Sequence, residues 1–209
     1  MDFAFLITAF VTLFVIIDPI GLAPLYIALT HHMTPEKRRK TGIRALAVAA
    51  VLLTLFALAG DAILAGIGIS LPAFRIAGGV LLFLTALDML FERRSKRRED
   101  QAGDQAGEDH DDDDPSVFPL ATPLLAGPGA LATMILLTGQ GQGWLHMVSV
   151  LAVMLVVLAS AGLLFVAAVP LARMLGPTGV RVVTRLLGML LAALSIQFII
   201  DGLKGAGLA

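Results

Sequence analysis

Two short stretches could grip a charged solute: Asp18-Pro19-Ile20-Gly21-Leu22-Ala23-Pro24 and Pro123-Leu124-Leu125-Ala126-Gly127-Pro128-Gly129. Each lies inside an apolar run. Proline brings no N–H and its ring clashes with the preceding turn, so a helix through either stretch must break or bend. A helical segment restarting there presents N–H groups that favour an anion. Asp18 reads two ways. It carries a coupling proton or meets a substrate's ammonium, or Asp18-Pro19 is an N-cap followed by a first-turn proline. The two are compatible, since a capping carboxylate can still line a cavity. Gly127-Pro128-Gly129 reads as the start of a half-helix offered to an anionic group, or as an ordinary proline kink with glycines for close packing. Thr122 and Thr133 flank that break. Their hydroxyls could bond a solute or, more ordinarily for membrane threonines, their own backbone.

The elements carrying these residues follow from hydropathy. The chain is 57% hydrophobic and 15% charged, with a mean hydropathy of +0.89, outside the range of soluble domains. Its charges cluster and leave six apolar runs: Phe3 to Thr30, Ile43 to Ala65, Pro72 to Phe91, Val117 to Thr138, Met147 to Pro170 and Val182 to Leu203. Each approaches or exceeds the ~20 residues a spanning helix needs. The first is too long for one straight span, which agrees with a break in its middle. The expected fold is an all-α membrane protein of six transmembrane helices, the first and fourth broken at Pro/Gly motifs. Lipid forbids unsatisfied backbone unless it faces a cavity or other protein. Matching interruptions in two halves are therefore a pointer to a transporter's binding site.

Lysine and arginine set the orientation. Lys37, Arg38, Arg39 and Lys40 lie in the first connection, Arg93, Arg94, Lys96, Arg97 and Arg98 in the third, and Arg173 and Arg181 in the fifth. The positive-inside rule places these odd connections in the cytoplasm and both termini on the periplasmic side of a bacterial inner membrane. Met1-Asp2-Phe3 lacks a basic n-region, so the first run is kept as a mature helix. The charged stretch 92–116 cannot bury enough apolar surface to fold and reads as a disordered cytoplasmic linker. Its Asp111 to Asp114 run beside His110 could bind a divalent cation, although a solvated acidic spacer is the plainer reading.

The linker separates residues 1–91 from 117–209, and the halves resemble each other. Arg75-Ile76-Ala77-Gly78 precedes Thr85 as Arg185-Leu186-Leu187-Gly188 precedes Ser195, and Gly21 to Thr30 aligns without gaps on Gly129 to Thr138. Three spans per copy is an odd number, so the second copy inserts upside down. That is an inverted repeat, with a site expected near the midplane between the broken helices.

Other polar groups have plainer roles. Arg75 and Arg185 snorkel or pair across the bundle; Asp61, Asp88 and Asp201 sit toward helix ends. Gly78-Gly79 and Gly66-Ile67-Gly68 are packing surfaces that allow a homo-oligomer without requiring one. His31 and His32 lack metal-ligand spacing, and the chain has no cysteine. With no nucleophile–base pair, paired carboxylates or nucleotide-binding loop within the spans, no enzyme chemistry, cofactor, metal or nucleic-acid partner is expected.

Several stretches resemble the MarC family of bacterial inner-membrane proteins, also called the neutral amino acid transporter or SnatA family. They are Gly68-Ile69-Ser70-Leu71-Pro72-Ala73-Phe74-Arg75-Ile76-Ala77-Gly78-Gly79, Phe118-Pro119-Leu120-Ala121-Thr122-Pro123, Ala126-Gly127-Pro128-Gly129, Arg185-Leu186-Leu187-Gly188 and Gln197-Phe198-Ile199-Ile200-Asp201-Gly202. The resemblance implies six membrane helices and ion-coupled movement of glycine, alanine and related amino acids. Many members have two prolines before the first glycine, where this chain has Pro19-Ile20-Gly21. Others have asparagine in place of Asp18, which favours capping or direct contact over proton carriage. The expected function is secondary transport, as an exporter of small neutral amino acids coupled to protons or sodium, with Asp18, Pro19, Gly21, Pro24, Thr122, Pro123, Gly127, Pro128, Gly129 and Thr133 around the substrate. The rivals are efflux of amphipathic drugs, which suits a chain with more than 6% aromatics, and a non-transporting membrane scaffold.

Overall fold

The computed structural model describes residues 3–31, 33–91 and 115–208. Residues 92–114 of the expected linker, with the acidic tract and His110, lie outside the described residues. Among the described residues every regular element is helical.

Helix α1 (Phe3–Ile17) and helix α2 (Pro19–Leu29) meet at Asp18 and together form one 27-residue candidate span. Helix α3 (Pro35–Gly66) starts where Thr34 accepts a bond from Lys37 N at 3.3 Å, with Pro35 in its first turn. Helix α4 (Leu71–Leu90) starts likewise, at Ser70 accepting from Ala73 N at 3.3 Å ahead of Pro72. Hydroxyl caps followed by an early proline are the ordinary chemistry of a helix start.

The fourth run divides into a π segment (Ser116–Leu125) and helix α5 (Pro128–Thr138), inclined 55° to each other. Phe118 and Thr122, each followed by proline, take extended backbone angles, as the proline ring requires of its predecessor. The local bonds accordingly run five residues back, from Leu120 N to Pro115 O and from Ala126 N to Ala121 O. Helix α6 (Trp144–Val166) and helix α7 (Ala168–Gly205) complete the chain. Gly176, at φ 62°, interrupts α7, and the spanning part is Thr178–Gly205. Among the described residues, five helices are long and apolar enough to cross a membrane, or six if the bent pair is one span. The protein is an integral, multi-pass membrane protein.

Large apolar side chains face outward along these spans: Val51, Leu55 and Leu58 on α3, Leu155 and Val156 on α6, Leu186 and Met189 on α7. In lipid such faces need no cover, and packing rests on close backbone approach through small residues. Glycines mark the approaches. A Cβ on Gly79 would lie 2.8 Å from Ser195 O and 2.7 Å from Ile199 Cγ1; one on Gly188 would lie 3.0 Å from Met89 Cβ and 3.3 Å from Ala86 O. Gly202 abuts Ile76 and the Pro72 carbonyl. Rising numbers in α7 meet falling numbers in α4, so the two helices run antiparallel.

Helix α5 is enclosed. Residues 132–138 are all buried, with Ile135 fitted against Gly60 of α3 and Leu136 against Gly78 of α4.

Candidate solute-binding site

At the first break the backbone of Asp18 is left-handed, φ 55° and ψ 60°, a conformation that aspartate tolerates better than most side chains. The helical bonds nevertheless continue on both sides, from Asp18 N to Phe14 O and from Leu22 N to Asp18 O. Pro19 has no N–H for the carbonyl of Val15. The Asp18 carboxylate folds forward and accepts from Gly21 N at 3.1 Å, so the buried side chain, 1% exposed, caps α2 and meets the positive end of its dipole. A Cβ on Gly21 would collide with that carboxylate. Glycine at 21 is what leaves room for the cap.

The second break is built from main chain. Gly127 is extended and forms the N-cap of α5 with no side-chain cap bond. The first backbone bond into the helix is Leu131 N to Gly127 O at 3.0 Å. Ahead of it stand the N–H groups of Gly129 and Ala130, and the cap residue, a glycine, has no side chain to bond them. A Cβ at Gly127 would lie 2.5 Å from the Pro123 carbonyl oxygen, so glycine there allows two parts of the main chain to pass in contact.

The two breaks adjoin. The Cβ position of Gly129 lies 3.5 Å from Ile16 Cδ1 and 3.7 Å from Leu82 Cδ2. Ile16 is two residues ahead of Asp18, so the start of α5 rests on the end of α1 with α4 beside it. Of the expected site residues, Pro123, Gly127, Pro128 and Gly129 form one unit, and Asp18, Pro19 and Gly21 another. Pro24 is exposed on α2, a turn beyond the cap. Both threonine hydroxyls donate to main chain, Thr133 to Gly129 O at 2.8 Å and Thr122 to Val117 O at 3.1 Å. Their oxygens keep acceptor capacity only.

Sequence reasoning passed over Ile16 and Leu82, because an apolar contact between distant spans leaves no local signal. It also passed over the far end of α2. There Arg38 donates from Nε and Nη2 to Thr30 O at 3.3 and 3.0 Å, and Tyr26 OH donates to Arg38 O at 2.7 Å. The Tyr26 ring stacks on Phe165 with centroids 4.4 Å apart.

A family model described as "MarC family integral membrane protein" matches residues 3–207. The chain belongs to the MarC family. Similar proteins carry only the general name UPF0056 membrane protein. MJ1677 of Methanocaldococcus jannaschii is 34% identical over 99% of this chain and 99% of its own length. YhcE of Escherichia coli is 36% identical over 98% of this chain and 94% of its own. The protein PYRAB13050 of Pyrococcus abyssi is 34% identical over 94% and 93%. No solved structure gives a significant match.

Proposed function

We propose that this MarC protein is a secondary transporter that exports small neutral amino acids such as glycine and alanine, coupled to a proton or sodium gradient. The single observation carrying the reading is the uncapped N-terminus of α5, set against the other broken run at Ile16. A zwitterion suits two such breaks. The N–H groups of Gly129 and Ala130 attract a carboxylate, and the Asp18 carboxylate with the main chain around Gly21 attracts an ammonium or a coupling cation.

Alternating access would come from two inverted repeats, residues 1–91 and 117–209, rocking about their shared packing surface. What supports this is the reciprocity between α4 and α7, in which Gly79 meets Ser195 and Ile199 while Gly188 meets Ala86 and Met89. The basic odd connections orient the chain with both termini outside the cytoplasmic membrane.

The experiment is uptake of labelled glycine, alanine and a panel of small amino acids into proteoliposomes, with and without proton or sodium gradients. Saturable flux of the small neutral members is the expected result. No saturable flux for any of them under any gradient removes the proposal. The scaffold reading has one observation in its favour: the hydroxyls of Thr122 and Thr133 already bond main chain. It predicts that Gly129→Leu impairs assembly, with no flux to lose.

A further inference from the structure

Arg75 is a cation without a counter-ion among the described residues. It lies half-buried on α4. Its Nε is buried with no hydrogen-bond partner, and among the described residues it makes no ion pair. Ionised groups within a span are costly, so they face a cavity or a partner rather than lipid. The lipid face of α4 is marked by exposed Ala73, Ala77, Val80, Leu81 and Leu84. At about 100° per residue, Arg75 stands on the opposite side. Its neighbours on that side meet two other helices. Leu71 and Gly78 pack on Gly139, just past α5, and on Leu136, whereas Pro72 and Gly79 pack on Gly202 and Ile199 of α7. Arg75 therefore sits in the seam between α5 and α7. Asp201, next to Gly202, accepts from Gln197 Nε2 at 2.9 Å instead. The carboxyl end of α5 favours a cation in this seam, yet Nε bonds none of its carbonyls.

We propose that Arg75 is a second anion site, which takes the carboxylate of the solute on the outer side of the break before α5. The inference rests on the transport reading for the identity of that solute. Helices α4 and α5 run antiparallel: Leu82 lies beside Gly129, Gly78 beside Leu136 and Leu71 beside Gly139. Leu82 and Arg75 are two turns apart on one face of α4, about 10 Å along its axis. On the sidedness proposed above, α4 starts outside, so Arg75 stands outward of the N–H groups of Gly129 and Ala130. A guanidinium offers Nε–H and one Nη–H side by side, which matches the two oxygens of a carboxylate. The unbonded Nε edge is the one such a pair uses. A carboxylate leaving the half-helix thus meets a fixed positive charge before it reaches water, where the seam would otherwise be apolar.

The test follows the Nε–H resonance of Arg75 by NMR, on the full chain carrying isotope-labelled arginine in phosphatidylcholine nanodiscs. Arg75→Lys or Arg75→Gln deletes that one resonance and so assigns it. Glycine is expected to shift it saturably, and so is N-acetylglycine, which keeps the carboxylate and loses the ammonium. Glycinamide, which lacks the carboxylate, should need about 10- to 100-fold more for half the shift, the worth of a charge-assisted bond. Gly129→Ala should leave the glycine shift in place, because Arg75 holds its own anion. The proposal is overturned by a resonance indifferent to glycine, by glycinamide acting as well as glycine, or by a shift lost in Gly129→Ala. It is overturned too if adding phosphatidylglycerol to the nanodiscs moves the resonance and then blocks glycine, since the occupant is then a lipid phosphate. No flux enters these outcomes, so a failure here is distinct from a failure of the transport reading.

Discussion

The two breaks have similar sequences and opposite electrostatics. At the first, a carboxylate from the chain itself occupies the N-terminus of α2, and α1 and α2 together form one candidate span. At the second, the cap residue Gly127 has no side chain to offer α5, and the run bends by 55°. A proline tells only that a helix must be interrupted. Whether the new N-terminus is already neutralised depends on the residue before the proline, Asp18 in one case and Gly127 in the other. On the proposed transport reading, an anion from outside the chain is drawn to α5, while the first break offers negative charge to a cation.

Substitutions can break this contrast. The largest effect is expected from Gly21→Val, which drives the Asp18 carboxylate off its cap; loss of the cap and overpacking together cost about 3 kcal/mol. Thermal unfolding of the purified protein in detergent checks it, and an unchanged Tm would contradict the close approach. Next comes Asp18→Ala, at about 2 kcal/mol, from the lost cap and an alanine forced into left-handed backbone. Asp18→Asn keeps both features and should cost under about 0.5 kcal/mol. If flux nonetheless collapses in the asparagine variant, the charge serves the solute or coupling ion rather than the fold.

Gly127→Ala should cost about 1–2 kcal/mol, because its Cβ meets a main-chain oxygen that cannot rotate away. The smallest structural effect belongs to Gly129→Ala. Its Cβ would sit in ordinary contact with Ile16 and Leu82, so stability should move by less than about 0.5 kcal/mol. Flux should fall all the same, since the methyl stands beside the uncapped N–H groups. A variant that loses stability along with flux would argue for packing instead.

Much of this was legible in the chain alone, for a local reason. Spans follow from runs of apolar residues, and the helix start at Asp18-Pro19 from the proline and the carboxylate before it, because covalent constraint and short-range hydrogen bonds act within a few residues. The interruption of the first and fourth runs belongs to the same class. The geometry of each interruption does not. Thr122 and Thr133 could have faced a solute equally well by spacing, and it was the path of the π segment and α5 that turned their hydroxyls onto Val117 and Gly129.

Contacts between distant spans were beyond the sequence. Ile16 against Gly129 and Ile135 against Gly60 join residues whose meeting depends on how whole helices pack. In lipid that packing is decided by shape, since apolar faces gain nothing by hiding from one another. Composition thus determined that the chain is all-helical, with five or six candidate spans among the described residues, and proline where helices are interrupted. Only the packed bundle decided that the start of α5 rests on Ile16, at the end of α1.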